Sequence, residues 1–306
     1  MGCSNSPNVK SNNQTNQNNT LKNEFPNLEP IEEIIDFSEP FKELNYSTSN
    51  ILFLKDGKIM LANRAEIHIF YNLNFENPYV IKVFRDYIQC FIELSNGYIA
   101  VCSNDNSLKI LEIGERTYKI ISEIVWMNQL WSLAERPNFG HDIVVGDVKG
   151  LFFYFQKTTT GYVCGEKLAL QNSTILNILS LTASLLMMVY MNYGIIFFNC
   201  STYETVATIN HQYFNPFKRA IKKISNHELL IGAEYSIILV DYKTFEKIKE
   251  FDSNSTYSIN RLNKEYLLCS SEDGYIESYK MEKTENDELD LSFQKKLKFI
   301  QVALLE

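Results

Sequence analysis

The stretch Ile51-Leu52-Phe53-Leu54-Lys55-Asp56-Gly57-Lys58-Ile59-Met60-Leu61-Ala62-Asn63-Arg64-Ala65-Glu66-Ile67-His68-Ile69-Phe70 decides the fold. Its three apolar runs, Ile51 to Leu54, Ile59 to Ala62 and Ile67 to Phe70, are divided by Asp56-Gly57 and by the polar break from Asn63 to Glu66. A fourth run, Tyr79 to Phe84, follows. Short β-branched and aromatic runs split by Asp-Gly-type turns predict a four-stranded antiparallel meander. One such sheet cannot bury both of its faces, so it requires neighbours built like itself.

The neighbours are present. The second run recurs as Ile99 to Cys102, Ile143 to Gly146, Met187 to Tyr190, Leu229 to Gly232 and Tyr266 to Cys269. Counted between last residues (62, 102, 146, 190, 232 and 269), the steps are 40, 44, 44, 42 and 37 residues, within or close to the length of one propeller blade. The third run recurs in phase as Leu108 to Leu111, Leu151 to Phe155, Ile195 to Phe198, Ile237 to Val240 and Ile276 to Tyr279. First runs precede each, as Phe91 to Leu94, Leu130 to Leu133, Ile178 to Leu181, Ile221 to Ile224 and Ile259 to Leu262. The second runs end on small residues (Ala62, Cys102, Gly146, Gly232, Cys269) except at Tyr190, as strands converging on a crowded axis require. Period, turns and small residues agree on an all-β fold, a β-propeller of six to seven four-stranded blades.

On that period and strand order the chain resembles the WD-repeat family from about Ile51 to Phe299. The family ends its third strands in Trp-Asp; here the positions read Phe70-Tyr71, Leu111-Glu112, Phe155-Gln156, Phe198-Asn199, Val240-Asp241 and Tyr279-Lys280. Asp241 alone keeps the Asp, and Gly140-His141 precedes a second strand rather than a first. The resemblance therefore implies the architecture, with loops that dock partners, and not the family's hydrogen-bonded tetrad.

Closure has two solutions. Ile31 to Phe37 reads as a strand ahead of the first repeat, and Ile300 to Leu305 as the first strand of a seventh. These fragments make either an incomplete seventh blade or additions at the seam of six. A further alternative sits inside the fourth repeat: Ile175 to Met191 is largely apolar, and no charged residue lies between Lys167 and Glu204. A spanning helix needs about 20 apolar residues. Asn177, Ser180, Thr182 and Ser184 interrupt the run, and two strands here preserve the period, so strands are expected.

Residues 1–30 form a separate unit, leaving 31–306 for the propeller. Met1-Gly2-Cys3-Ser4-Asn5-Ser6 fits N-myristoylation at Gly2, with Cys3 beside it for a second, reversible acyl chain. One myristoyl chain holds a membrane only marginally, so the second signal matters. From Ser4 to Asn27 the chain is rich in Asn, Gln, Ser and Thr and cannot offset its ordering entropy by burial. As a coil it tethers the body some 25–30 Å from its anchor, at roughly 5–6 Å times the square root of length.

With 29 Lys and Arg against 37 Asp and Glu, the net charge of -8 argues against a nucleic-acid-binding body. The six cysteines are scattered with no C-x-x-C pair, which points away from a metal or disulfide framework and toward a reduced, cytoplasmic setting. His68, His141, His211 and His227 share no metal-ligand spacing, and no phosphate loop, nucleophile elbow or zinc signature occurs. Neither a catalytic residue nor a cofactor is expected. The acids Asp105, Asp147, Glu234 and Asp273 recur between second and third strands; they suit an acidic metal rim, or more simply accept backbone hydrogen bonds in their turns.

Binding features are richer. Asn210 to Arg219 links the fourth sheet to the fifth through Tyr213, Phe214, Phe217, Lys218 and Arg219, and continues to Lys222 and Lys223. Exposed aromatics beside cations suit a protein hot spot or an anionic headgroup. Phe217-Lys218-Arg219-Ala220 also resembles the Phe-Arg-Arg-Gly motif of phosphoinositide-binding propellers, with Lys for the first Arg and Ala for Gly. Trp126 lies in another such link, and Trp131 beyond it is expected to enter the core. The sequence thus describes a membrane-tethered, non-enzymatic scaffold for protein partners. A propeller that binds anionic lipid is the alternative.

Overall fold

The computed structural model describes residues 48–298 except 72–76, 137–141, 160, 212–219, 254–255, 262–264, 272–274 and 284–288. Among them every regular element is a strand, and the strands form six four-stranded antiparallel sheets. The sheets occupy residues 48–81, 88–125, 130–169, 175–210, 221–252 and 256–298, each a meander in chain order. The fold is the expected propeller. The tether at 1–30 and the closing strands at 31–37 and 300–305 lie outside the described residues.

The apolar run in the fourth sheet is two strands, Ile175–Ser180 and Leu185–Tyr190, in register with Ile178 opposite Met188 and Leu179 opposite Met187. No helix among the described residues is long and apolar enough to cross a membrane. The Thr182 hydroxyl closes the intervening turn by accepting the backbone N–H of Leu185 at 3.1 Å.

Sheets hold together through their faces. Successive side chains of a strand point to opposite sides, and here the two sides belong to different neighbours. In Ile99–Ser103, Ile99 and Val101 pack with the first sheet, while Ala100 and Cys102 pack with the third. In Leu185–Tyr190, Leu186, Met188 and Tyr190 face the third sheet, and Met187 and Val189 face the fifth. Leu229 and Ile231 likewise turn to the fourth sheet and Leu230 to the sixth. Each Ile, Leu or Phe so buried contributes about 1.5–3 kcal/mol.

The first two hairpins between first and second strands are latched across sheets. In Leu54-Lys55-Asp56-Gly57-Lys58, Leu54 N–H donates to Lys58 O at 2.8 Å, and Gly57 N–H to Leu54 O at 2.9 Å. Leu94-Ser95-Asn96-Gly97-Tyr98 repeats both bonds at the same lengths. Glycine is required in each because φ is +87° at Gly57 and +84° at Gly97. Glu93, ending the next sheet's first strand, accepts Lys55 N–H at 3.0 Å. Glu135, one sheet further on, accepts Ser95 N–H at 2.8 Å and its hydroxyl at 2.7 Å.

The small residues earn their positions by crowding. A Cβ on Gly146 would stand 2.6 Å from Ser132 Oγ and 2.8 Å from Ile175 Cβ in the following sheet. Ser132 is itself fixed there, its hydroxyl donating to Ile175 O at 3.0 Å. Tyr190, the large exception, lies opposite Gly194, where a Cβ would come within 2.1 Å of Ile209 O on the adjoining strand. Gly146→Ala is expected to lower stability by about 1–3 kcal/mol through overpacking. Gly165→Ala, whose new Cβ would meet nothing closer than 3.4 Å, is expected to stay within about 0.5 kcal/mol. Urea denaturation of the two variants checks this.

Candidate functional site

In an antiparallel meander the turn after the second strand and the link after the fourth leave from the same end of the sheet. In this chain the two kinds of loop are hydrogen-bonded into one rim. Each link grips the turn of the sheet behind it and, in most cases, the turn of the sheet ahead. Between the first and second sheets, Ile88 N–H donates back to Arg64 O at 2.8 Å, and Asn104 N–H ahead to Tyr87 O at 2.9 Å. Between the second and third, Trp126 N–H donates to Asn106 O at 2.7 Å and Val148 N–H to Gln129 O at 3.2 Å. The next link repeats this with Thr174, whose hydroxyl donates to Val148 O at 3.1 Å and whose carbonyl accepts Met191 N–H at 2.9 Å. Then His211 N–H donates to Tyr193 O at 3.2 Å and Gly232 N–H to Ala220 O at 2.7 Å, while Ser253 N–H donates to Tyr235 O at 3.0 Å.

Two of the recurring turn acids, Asp105 and Asp147, are spent on this rim. Asp105 Oδ1 accepts Ser107 N–H and hydroxyl at 2.9 and 2.5 Å, and its Oδ2 accepts Arg85 N–H at 2.9 Å. Asp147 is 0% exposed and takes four donors: Trp126 Nε1 at 3.2 Å, Asn128 Nδ2 at 2.8 Å, and the N–H groups of Lys149 and Leu151 at 2.8 and 2.9 Å. A buried carboxylate with four donors is stable and acts as a joint between sheets. Asp273 lies outside the described residues. Among the described residues no three His, Cys, Asp or Glu side chains assemble as a metal site.

Trp126 is half-buried, stacked on Phe153 with centroids 4.0 Å apart, and Lys167 Nζ lies 4.6 Å from the indole centroid. Trp131 is half-buried against the cluster shared by the fourth and fifth sheets. Tyr213, Phe214, Phe217, Lys218 and Arg219, together with Gly2 and Cys3, lie outside the described residues. The ends of that link are in view: His211 is half-buried, and burial pushes its imidazole below the ordinary histidine range. Lys223 Nζ sits 5.3 Å from the Tyr242 ring centroid. His68 is buried on its strand with Nε2 3.1 Å from Glu66 Oε2, a satisfied core histidine.

Other features were invisible in the sequence. Met127, Tyr87 and Tyr235 stand out from the rim at 65%, 45% and 68% exposure. Lys109 is buried under Phe84 and paired with Glu123 directly opposite on the neighbouring strand. Cys90 and Cys102, twelve positions apart, oppose each other on one hairpin, neither in a disulfide.

These sheets and this rim define a propeller of WD-like architecture in which a different set of hydrogen bonds joins the blades. No protein-family model matches the chain, and no curated protein does. A chain in a solved structure described as a mitotic checkpoint complex superposes with a TM-score of 0.65 at 10% identity, covering 81% of this chain and 76% of that one. That likeness shows the fold.

Asp147→Ala is expected to cost about 2–4 kcal/mol by stranding buried donors, with a blue shift in tryptophan emission as the Trp126 indole loses its anionic acceptor. Glu250 supplies a pH effect. Ser236 donates to its Oε1 at 2.5 Å and Lys247 Nζ lies 2.9 Å from Oε2, and the two hold its carboxyl below the ordinary glutamate range. A depressed folded-state pKa stabilises above the unfolded value and loses that stabilisation as pH falls through the folded value. Glu250→Gln is therefore expected to flatten the stability profile below about pH 4.3, by about 0.5 kcal/mol or less at this half-exposed site. Urea midpoints between neutral and acid pH check it.

Proposed function

We propose that this chain is a non-catalytic propeller that docks protein partners on its loop rim and is held at a cytoplasmic membrane face by acyl chains on Gly2 and Cys3. The observation that carries the docking reading is the hydrogen-bonded rim itself. Its links and turns are fixed before any partner arrives, which limits the ordering entropy lost on binding. Its acids serve as internal acceptors, which leaves no carboxylate of Asp105 or Asp147 for chemistry, while Tyr87, Met127 and Tyr235 remain exposed as apolar anchors.

The membrane reading is supported by Met1 to Ser6, where a Gly for myristate, a Cys for a second chain and a Ser at the sixth position fall together. Two chains give stable anchoring where one does not. Confinement to a surface raises the effective concentration of partners held on the same membrane.

Intact-mass spectrometry of the protein from its own cell tests the anchor. The expected result is loss of Met1, one myristoyl mass on Gly2 and a second, hydroxylamine-labile acyl mass on Cys3. Gly2→Ala is expected to remove both and to move the protein to the soluble fraction. An unmodified Gly2 would overturn the anchoring. The same Gly2→Ala protein is expected not to bind phosphatidylserine vesicles; salt-sensitive binding would instead favour lipid recognition by Lys218, Arg219, Lys222 and Lys223.

A further inference from the structure

On the rim of the first three sheets four exposed cations stand without an ion-pair partner, and two apolar side chains stand among them. Arg64, Arg85, Lys149 and Lys167 are exposed. Among the described residues none of the four makes an ion pair. The carboxylates near them are already occupied: Asp105 and Asp147 as above, Asp86 by Tyr87 N–H at 2.7 Å, and Glu66 by Lys82 Nζ at 2.6 Å. These acids still offset part of the long-range field. Asp105 and Asp147 accept on the inner side of the rim and Asp86 keeps only Oδ2 without a donor, whereas the guanidiniums of Arg64 and Arg85 have free N–H groups.

The positions form one strip because the rim's hydrogen bonds connect them. Arg64 is joined to Ile88 and Tyr87 to Asn104, while Arg85 is joined to Asp105. Asn106 is joined to Trp126, and Trp126 and Lys149 meet at Asp147. Tyr87 and Met127 project along this path at 45% and 65% exposure. Lys167 closes it over the Trp126 ring. Beside Arg64, a depression of about 470 Å³ is lined by Asn63, Arg64, Ala65 and Glu66.

We infer that this strip, formed by Arg64, Arg85, Lys149 and Lys167 with Tyr87 and Met127 between them, binds an acidic peptide segment of a partner protein that carries one aromatic or aliphatic anchor. The inference rests on the docking reading above and gives it a partner chemistry. A chain with net charge -8 repels acidic partners in general, so recognition is confined to the place where unpaired guanidiniums meet carboxylates in bidentate geometry. The anchor supplies the desolvated contact that surface charge alone does not.

The test uses the full-length protein and a fluorescein-labelled set of acidic peptides, each with or without one central Phe. Peptides with Phe are expected to bind in the range of about 1–100 μM. The Arg85→Glu/Lys149→Glu pair is expected to weaken them by about tenfold or more, with its melting curve unchanged. Met127→Ser is expected to erase the advantage of the Phe peptide over its Phe-free counterpart and leave binding of the latter unchanged. The charge-matched pair Lys119→Glu/Lys243→Glu, placed away from the strip, is expected to retain wild-type affinity. The inference is overturned by absence of binding, by equal loss in both charge-reversed pairs, or by no loss in either. It is equally overturned if phosphatidylserine vesicles or an oligouridine RNA displace the peptides through these residues, because the strip would then serve another ligand. Proximity labelling in the native cell separates this result from the scaffold reading. Partners recruited equally by wild type and the Arg85→Glu/Lys149→Glu pair would reject the strip and leave the scaffold standing. A wild-type protein with no labelled partner would reject the scaffold itself.

Discussion

The structure depends on a division of labour within single strands. Adjacent residues of Ile99–Ser103 are buried against two different sheets, and the same holds in Leu185–Tyr190 and Glu228–Gly232. No interior sheet is therefore satisfied by one neighbour. Removing a side chain from one face weakens one seam, whereas displacing a strand by one residue exchanges the residues of both faces and ruins two seams at once. The Asx-Gly hairpins at Gly57 and Gly97, with their glutamate acceptors at Glu93 and Glu135, pin that register from outside the core.

At the other end the rim does for the loops what the cores do for the strands. Backbone donors and acceptors that would otherwise need water are matched between a link and the turns beside it, and Asp147 gathers a tryptophan, an asparagine and two amides from two sheets. The contacts vary in residue type from blade to blade: a backbone amide in one link, the Thr174 hydroxyl in the next. With Asp105 and Asp147 taken up in building the rim, exposed Arg64, Arg85, Lys149, Lys167, Tyr87 and Met127 carry much of its outward chemistry on the first three sheets.

Much of this was legible in the sequence for a physical reason. The second and third strands are buried on both faces, so they are written as unbroken apolar runs, and their spacing exposes the repeat. The outermost strands were legible only in the first sheet. Tyr118–Val125 and Glu246–Asp252 face solvent and interleave Lys and Glu with apolar residues, which blunts an open edge and erases the period. Trp126 illustrates a limit of local reading. Its position in a link suggests a protruding aromatic, but Phe153 and Asp147 come from the following sheet, and no short-range pattern announces them. Met127, beside it, drew no attention and carries the exposure. Cys90 and Cys102 looked scattered because pairing across a hairpin depends on register, including the irregularity between Ile88 and Cys90. The aromatic and basic residues at 213–219 lie outside the described residues, so the sequence remains the source of that reading.

The glutamate latches have one more implication. The first two hairpins are each closed by an acceptor that belongs to the next module, so latch and keeper are offset by one copy: Lys55 meets Glu93, and Ser95 meets Glu135. A duplication of the second module carries the keeper Glu93 in with the latch at Ser95, and the new junction finds complementary parts on both sides. Such a chain can change its number of modules in a single genetic event without inventing an interface.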